Sequence, residues 1–199
     1  SITSTTGSNT TCNGMNNGSI VITASGGTGA LQYSINNGTT FQAGSTFNNL
    51  APGNYSIVVK DANGCNATAN VVITQPPAIS GSASTTGTTC SAANGSVAIS
   101  ANGGTGLLQY SINNGTSYQA SSTFNNITSG NYTVIVQDAN GCTASVNAIV
   151  TDAPSPLISS TATVNNTCNG CDDATISINA NGGTTPLQYS INGGATLQN

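Results

Sequence analysis

The residues of this chain with the most evident chemistry are six cysteines: Cys12, Cys65, Cys90, Cys142, Cys168 and Cys171. Thiolates bind zinc, act as nucleophiles, or oxidise in pairs. Zinc is disfavoured. The chain has no His, a structural zinc site needs four converging ligands, and the spacing sets one Cys near each end of a repeating pattern. A redox dithiol is disfavoured as well. Cys168 and Cys171 form a Cys-x-x-Cys, but neither a helix start nor a cation that would lower a thiol pKa stands beside them. A local disulfide or one spare thiol is expected there. Cysteines that recur at fixed positions in such a chain read as disulfides in an extracellular protein.

The other ionisable groups are few: one Lys and five Asp, with no Arg, Glu or His. Serine-protease triads, a Glu general acid and a Glu/His metal site are therefore excluded. Lys60, at an outward strand position, is a poor nucleophile, so neither enzymatic activity nor a cofactor is expected. Asp61 and Asp138 each open an Asp-Ala-Asn-Gly, which is similar to the start of a calcium loop. Calcium takes about six to eight oxygens, usually from several carboxylates, and each repeat offers about one. Both are expected to be hairpin residues accepting backbone N–H bonds, and Asp172–Asp173 to lie in a solvated turn.

Charged residues make up 3% of the chain, against about 25% in ordinary soluble domains. There is no Lys/Arg footprint for nucleic acid and no polybasic segment for an anionic membrane. No apolar run approaches the ~20 residues of a membrane span. Asn-x-Ser/Thr triplets at Asn9, Asn37, Asn54, Asn126 and Asn131 arise readily from this composition and read as solvent-facing amides, not glycosylation sites. Because Ser1 is not an initiator Met, the chain is expected to be processed or part of a longer one.

The positions of these residues follow from a repeat. TTCNGMNNGSIVITASGGTGALQYSINNGTTF begins at Thr10, TTCSAANGSVAISANGGTGLLQYSINNGTSY at Thr88, and NTCNGCDDATISINANGGTTPLQYSINGGATL at Asn166. A period of about 77 residues implies a tandem array of small domains. The Pro-bearing stretches TQPPAIS and TDAPSPLIS are linkers, which predicts repeats over 1–77 and 78–155 and the N-terminal half of a third over 156–199.

Every patterned element alternates with period two, the signature of a half-buried strand. The inward rows are Ile20, Ile22 and Ala24; Val97, Ile99 and Ala101; Ile176, Ile178 and Ala180; Tyr55, Ile57 and Val59; and Tyr132, Val134 and Val136. Leu31, Tyr33 and Ile35 form another row, which makes Tyr33, Tyr110 and Tyr189 core residues, not sugar-stacking platforms. INNGT and DANGC read as Asn-Gly hairpins whose two central residues take positive φ. Strands predicted near 79–88, 95–101, 107–113, 116–120, 122–127, 131–138 and 143–151 make a seven-strand sandwich. The fold class is all-β: a tandem array of immunoglobulin-like β-sandwiches.

Cys-x-Gly, Gly-Ser-Ile, Gly-Gly-Thr-Gly, Gln-Tyr-Ser-Ile-Asn-Asn-Gly, Leu-Ala-Pro-Gly-Asn-Tyr and Asp-Ala-Asn-Gly-Cys, in that order, resemble the SprB repeat along essentially the whole chain. The third copy departs from it with Cys171 and with Ala-Thr in place of Gly-Ser. The resemblance implies a cell-surface adhesin of Bacteroidota, exported by type IX secretion and moved along the surface by gliding cells. LAPGNY is also similar to a corner of fibronectin type III domains.

Two disulfide schemes remain open. Cys12 lies in the turn between the first two strands and Cys65 in the last hairpin turn, at opposite poles of such a sandwich. A seven-residue strand spans roughly 23 Å, whereas a disulfide needs Cα atoms within about 7 Å. That favours Cys12–Cys142 between repeats, with Cys65 and Cys90 pairing outside this pattern. The alternative is Cys12–Cys65 and Cys90–Cys142 within repeats, if the strand at 116–120 merges with the next.

The expected function is a structural segment of a long extracellular filament or adhesin stalk, its repeats stacked end to end. The partners expected are neighbouring repeats and identical chains, with outward Val58 and Ile135 offered for lateral contact. The other reading is a binding module whose GGTG loops and Asn-Gly tips face surface polysaccharide.

Overall fold

The computed structural model describes all 199 residues and contains strands without a helix. It divides into two compact units: Ser1–Gly81 with Ser100–Ala120 and Ile135–Ser145, and Ser82–Ile99 with Ser121–Val134 and Val146–Asn199.

The first unit contains β1 (Ile2–Ser8), β2 (Gly18–Ala24), β3 (Gln32–Ser34), β4 (Thr46–Leu50), β5 (Gly53–Lys60) and β6 (Asn66–Ile73). They form two antiparallel sheets, ordered β1-β2-β4 and β3-β5-β6. This is the A-B-E and C-F-G division of an immunoglobulin-type sandwich. Alternation along β2 and β5 drives it, because one row of each faces the other sheet. Ile20 and Ile22 of the first sheet meet Ile57, Val59 and Ile73 of the second, with Tyr33, Phe47 and Tyr55 packed around them. Burying each such aliphatic side chain contributes roughly 1.5–3 kcal/mol. The Tyr55 hydroxyl donates to Ala51 O at 2.8 Å, fixing the corner between β4 and β5.

The pattern recurs as β7 (Ser80–Thr86), β8 (Thr88–Thr89), β9 (Gly95–Asn102), β10 (Gln109–Ser111), β11 (Thr123–Ile127), β12 (Gly130–Gln137), β13 (Thr143–Val150) and β14 (Asp152–Ala153). Sheets β11-β9-β7 and β10-β12-β13 repeat the order, and β8 pairs in parallel with β14. In the second unit Val97, Ile99, Val134, Val146, Ala148 and Val150 are buried. The third copy supplies only β15 (Leu157–Val164) and β16 (Thr175–Asn181), paired antiparallel. No second sheet covers them, so Ile158 of β15 and Ile176 of the apolar row stay exposed.

Three expectations need correction. The segment 116–120 is not a strand; it makes one bridge, Tyr110↔Gln119. The Asn113 side chain takes the Ser117 N–H at 3.1 Å, and the Thr116 hydroxyl turns back to Asn113 O. These local bonds compete with a ladder, leaving six main strands in the second copy, β7 and β9 to β13, as in the first, instead of seven.

Val58 is not outward. It is 8% exposed, because the preceding hairpin folds across β5. Asn37 N–H donates to Ser56 O, and a Cβ at Gly38 would touch both Phe41 and Val58. Lys60 Nζ sits 4.0 Å from the Phe41 ring centroid on the same face. Ile135 is half-buried. Val72 on β6 and Ile149 on β13 are among the apolar side chains that do face outward.

The two Asn-Gly hairpins also differ. INNG has positive φ at Asn37 and Gly38, and at Asn114 and Gly115, whereas in DANGC only Gly64 and Gly141 do. The Asp side chain accounts for the second form.

Candidate functional site

Two loops of the first unit hold the chain's longest covalent link. The first, Thr10–Asn17, follows β1. Thr10 N–H donates to Thr74 O at 3.0 Å, and the Asn9 side chain receives Thr74 N–H at 2.9 Å, tying the end of β1 to the end of β6. Asn17 braces the loop by accepting Thr11 N–H at 3.1 Å and donating to the Thr11 hydroxyl at 2.7 Å. The linker then clamps it. Gln75 Oε1 accepts Gly14 N–H at 2.8 Å, and Asn13 Nδ2 donates to Pro76 O at 3.0 Å.

The second loop joins β12 to β13. Asp138 Oδ1 accepts N–H bonds from Asn140 and Cys142, both at 2.9 Å, while Oδ2 accepts Thr105 N–H at 2.8 Å. The carboxylate thus substitutes for a turn backbone, which is why Asn140 needs no left-handed φ. It also fixes the GGTG loop relative to Cys142.

Cys12 and Cys142 are disulfide-bonded, their Cα atoms 5.6 Å apart and their sequence positions 130 apart. Asn140 Nδ2 donates to Thr11 O at 3.2 Å beside the bond. The pairs Cys12–Cys65 and Cys90–Cys142 are not formed: Cys65 and Cys90 are free and exposed. Pro77 O accepts Gly104 N–H at 2.9 Å, and a Cβ at Gly103 would collide with the Ala78 carbonyl. The GGTG loop of the second copy is thereby a seat for the linker. A similar bond recurs within the second unit, where Gly183 N–H donates to Pro154 O at 2.7 Å.

The remaining loops reuse these parts. Asp61 accepts Thr28, Asn63 and Cys65 N–H groups, each at 2.9 Å. The Thr28 bond above all, with those from Cys65 and Asn63, holds its carboxyl below the usual range. At Cys90, Asn94 does for Thr89 what Asn17 does for Thr11. Asp152 accepts the Thr88 hydroxyl at 2.6 Å and Ser91 N–H and Oγ–H, which lower its pKa in that order of importance for the side-chain donors. In the third copy Cys168 is bonded to its neighbour Cys171. Asp173 stands where Asn17 and Asn94 stand, accepting Thr167 N–H at 3.0 Å, while its bond from the Thr167 hydroxyl lowers its pKa most.

Sequence reasoning missed Ser34, Ser111 and Ser190. Ser34 and Ser111 are buried. Each hydroxyl donates to an Asn two residues on and accepts a Gly N–H four residues on, at 2.8–2.9 Å, so it builds the hairpin from beneath. Their recurrence in all three YSIN segments was the signal.

The family comparison bears on the two outer copies. Residues 4–40 and 160–196 match the SprB repeat. Each matched SprB segment runs from the first strand of a copy through its Asn-Gly hairpin. The match is narrower than the whole-chain resemblance, and the middle copy shares the sequence motifs of the other two. No curated protein matches the chain. Among solved structures it is similar to the N-terminal eight Ig domains of Down syndrome cell adhesion molecule, at 14% identity and a TM-score of 0.31, covering 66% of this chain and 23% of that one. It is also similar to murine CEACAM1b, at 16% identity and a TM-score of 0.30, covering 69% and 92%. Domains 1–6 of surface layer protein SbsC match at 14% identity and a TM-score of 0.31, covering 96% of this chain and 35% of that one.

Proposed function

We propose that the chain is a structural segment of a long extracellular filament or adhesin stalk on a bacterial surface, built of repeats bounded near residues 77 and 155 and stacked end to end. The Cys12–Cys142 bond carries this reading. It crosses the 77 boundary and couples the first-strand turn of one copy to the last hairpin of the next. SprB segments at both ends of the chain and two disulfides support a surface adhesin outside the cytoplasm. The family resemblance extends the proposal to gliding cells and type IX export. The polysaccharide-binding reading is weaker, because the GG pairs at 103–104 and 182–183 seat linker carbonyls in place of ligand.

Force spectroscopy on the full chain, pulled from its termini, tests the reading. The bond shields a span of 130 positions, about 430–470 Å of extended chain. The oxidised chain should extend less than the reduced chain by about that length. Equal extension in both states would refute covalent coupling between copies.

A further inference from the structure

The joint around Cys142 has a counterpart at the pole of the first copy. Asp61, Cys65, Gly26 and Gly27 occupy the positions that Asp138, Cys142, Gly103 and Gly104 occupy one copy later. Their internal geometry is the same: Asp61 receives Thr28, Asn63 and Cys65 N–H groups as Asp138 receives those of Thr105, Asn140 and Cys142. Their occupancy differs. A Cβ at Gly103 would collide with Ala78, whereas one at Gly26 would meet nothing within 4 Å. Cys142 is bonded and Cys65 is free and exposed. Beside Cys65 lies a cavity of about 200 Å³ bordered by Gly26, Gly27, Leu31 and Asp61.

We propose that this pole, formed by Gly26, Gly27, Asp61 and Cys65, is the receiving half of a joint whose occupant is the turn-and-linker end of another repeat of this kind. The occupant's chemistry is set by the filled joint. It presents a Thr-Thr-Cys turn whose Cys bonds Cys65 and whose Thr carbonyl accepts from Asn63. It also presents a Pro carbonyl that accepts Gly27 N–H. Formation of the bond removes a proton from each thiol. The two electrons go to a disulfide oxidant such as oxidised glutathione, which becomes two thiols.

The inference rests on the stacked-repeat reading, and one experiment separates them. The full chain is extended by placing a second copy of residues 1–77 ahead of Ser1. The added copy carries Cys65→Ser, so that its own hairpin cannot react, and Met15→Leu, which marks its Cys12 peptide by mass. After refolding with glutathione and trapping with N-ethylmaleimide, non-reducing peptide mapping should find the marked Cys12 joined to Cys65, and Cys65 should lose its alkylation. Cys65 fully alkylated alongside an intact Cys12–Cys142 bond would overturn this inference alone. Loss of both bonds in a folded chain would overturn the stacked-repeat reading with it. Should that extension misfold, residues 78–154 placed ahead of Ser1 serve as the second variant. There the added Cys90 should join Cys65, and a free Cys65 in that folded chain overturns the inference.

Discussion

Cys12 and Cys142 lie 130 positions apart with their Cα atoms 5.6 Å apart, and each sits in a loop braced by side-chain hydrogen bonds. Asn17 and Gln75 hold the first loop, and Asp138 holds the second. The disulfide therefore joins two loops that each have their own hydrogen-bonded brace. Removing a native disulfide from a small secreted domain costs about 2–5 kcal/mol. Cys12→Ser, Cys142→Ser and the double variant should each lose stability of about that order and to the same extent, because all three break one bond. Cys65→Ser and Cys90→Ser, made in the unextended chain, should leave the chemical-denaturation midpoint unchanged. A double variant markedly less stable than either single one would contradict a shared origin.

Gly26 and Gly103 separate the cost of a backbone conformation from the cost of a joint. Both have positive φ, 78° and 88°, where a non-glycine residue costs roughly 1–2 kcal/mol. Only Gly103 faces another backbone, that of Ala78. Gly103→Ala should therefore lower the melting temperature more than Gly26→Ala does. Equal losses would mean that the linker does not seat on the GG loop.

Acid should weaken the fold through its capped carboxylates. Asp61, Asp152 and Asp173 have lowered pKa values in the folded chain, owing chiefly to donors from Thr28, Thr88 and Thr167. Below its usual pKa of about 3.9 an unfolded Asp binds a proton that the folded one resists. Stability from these groups is thus present above about pH 4 and is lost as pH falls through the folded values. Thermal melts should be flat from neutral pH to about 5 and decline below about 4. Asp61→Asn should make that decline shallower, and an unchanged acid profile would count against the capping role.

The sequence showed some of this directly and hid the rest for physical reasons. Ile20, Ile22, Ile57 and Val59 announce their burial because alternation along a strand is a local property. Val58 sits on the polar-facing row of the same strand, yet it is covered by a hairpin that starts more than twenty positions earlier; no period within β5 carries that information. The 116–120 segment has strand-like composition, but the Asn113 side chain captures the Ser117 amide, a bond that alternation does not register. Asp61 and Asp138 were readable as hairpin residues from their motif. That the same carboxylates reach Thr28 and Thr105 in the neighbouring GGTG loops was not, since those bonds join strands distant in the chain. That Gly103 and Gly104 seat the linker was not readable either, since Pro77 and Ala78 lie more than twenty positions earlier.

Non-reducing peptide mapping of the unextended chain, digested at aromatic and apolar sites after the free thiols are alkylated, tests the coupled-copy account most directly. The account predicts a Cys12 peptide joined to a Cys142 peptide, with Cys65 and Cys90 alkylated. Cys12 joined to Cys65, or Cys90 joined to Cys142, would make each copy an independent bead and contradict it.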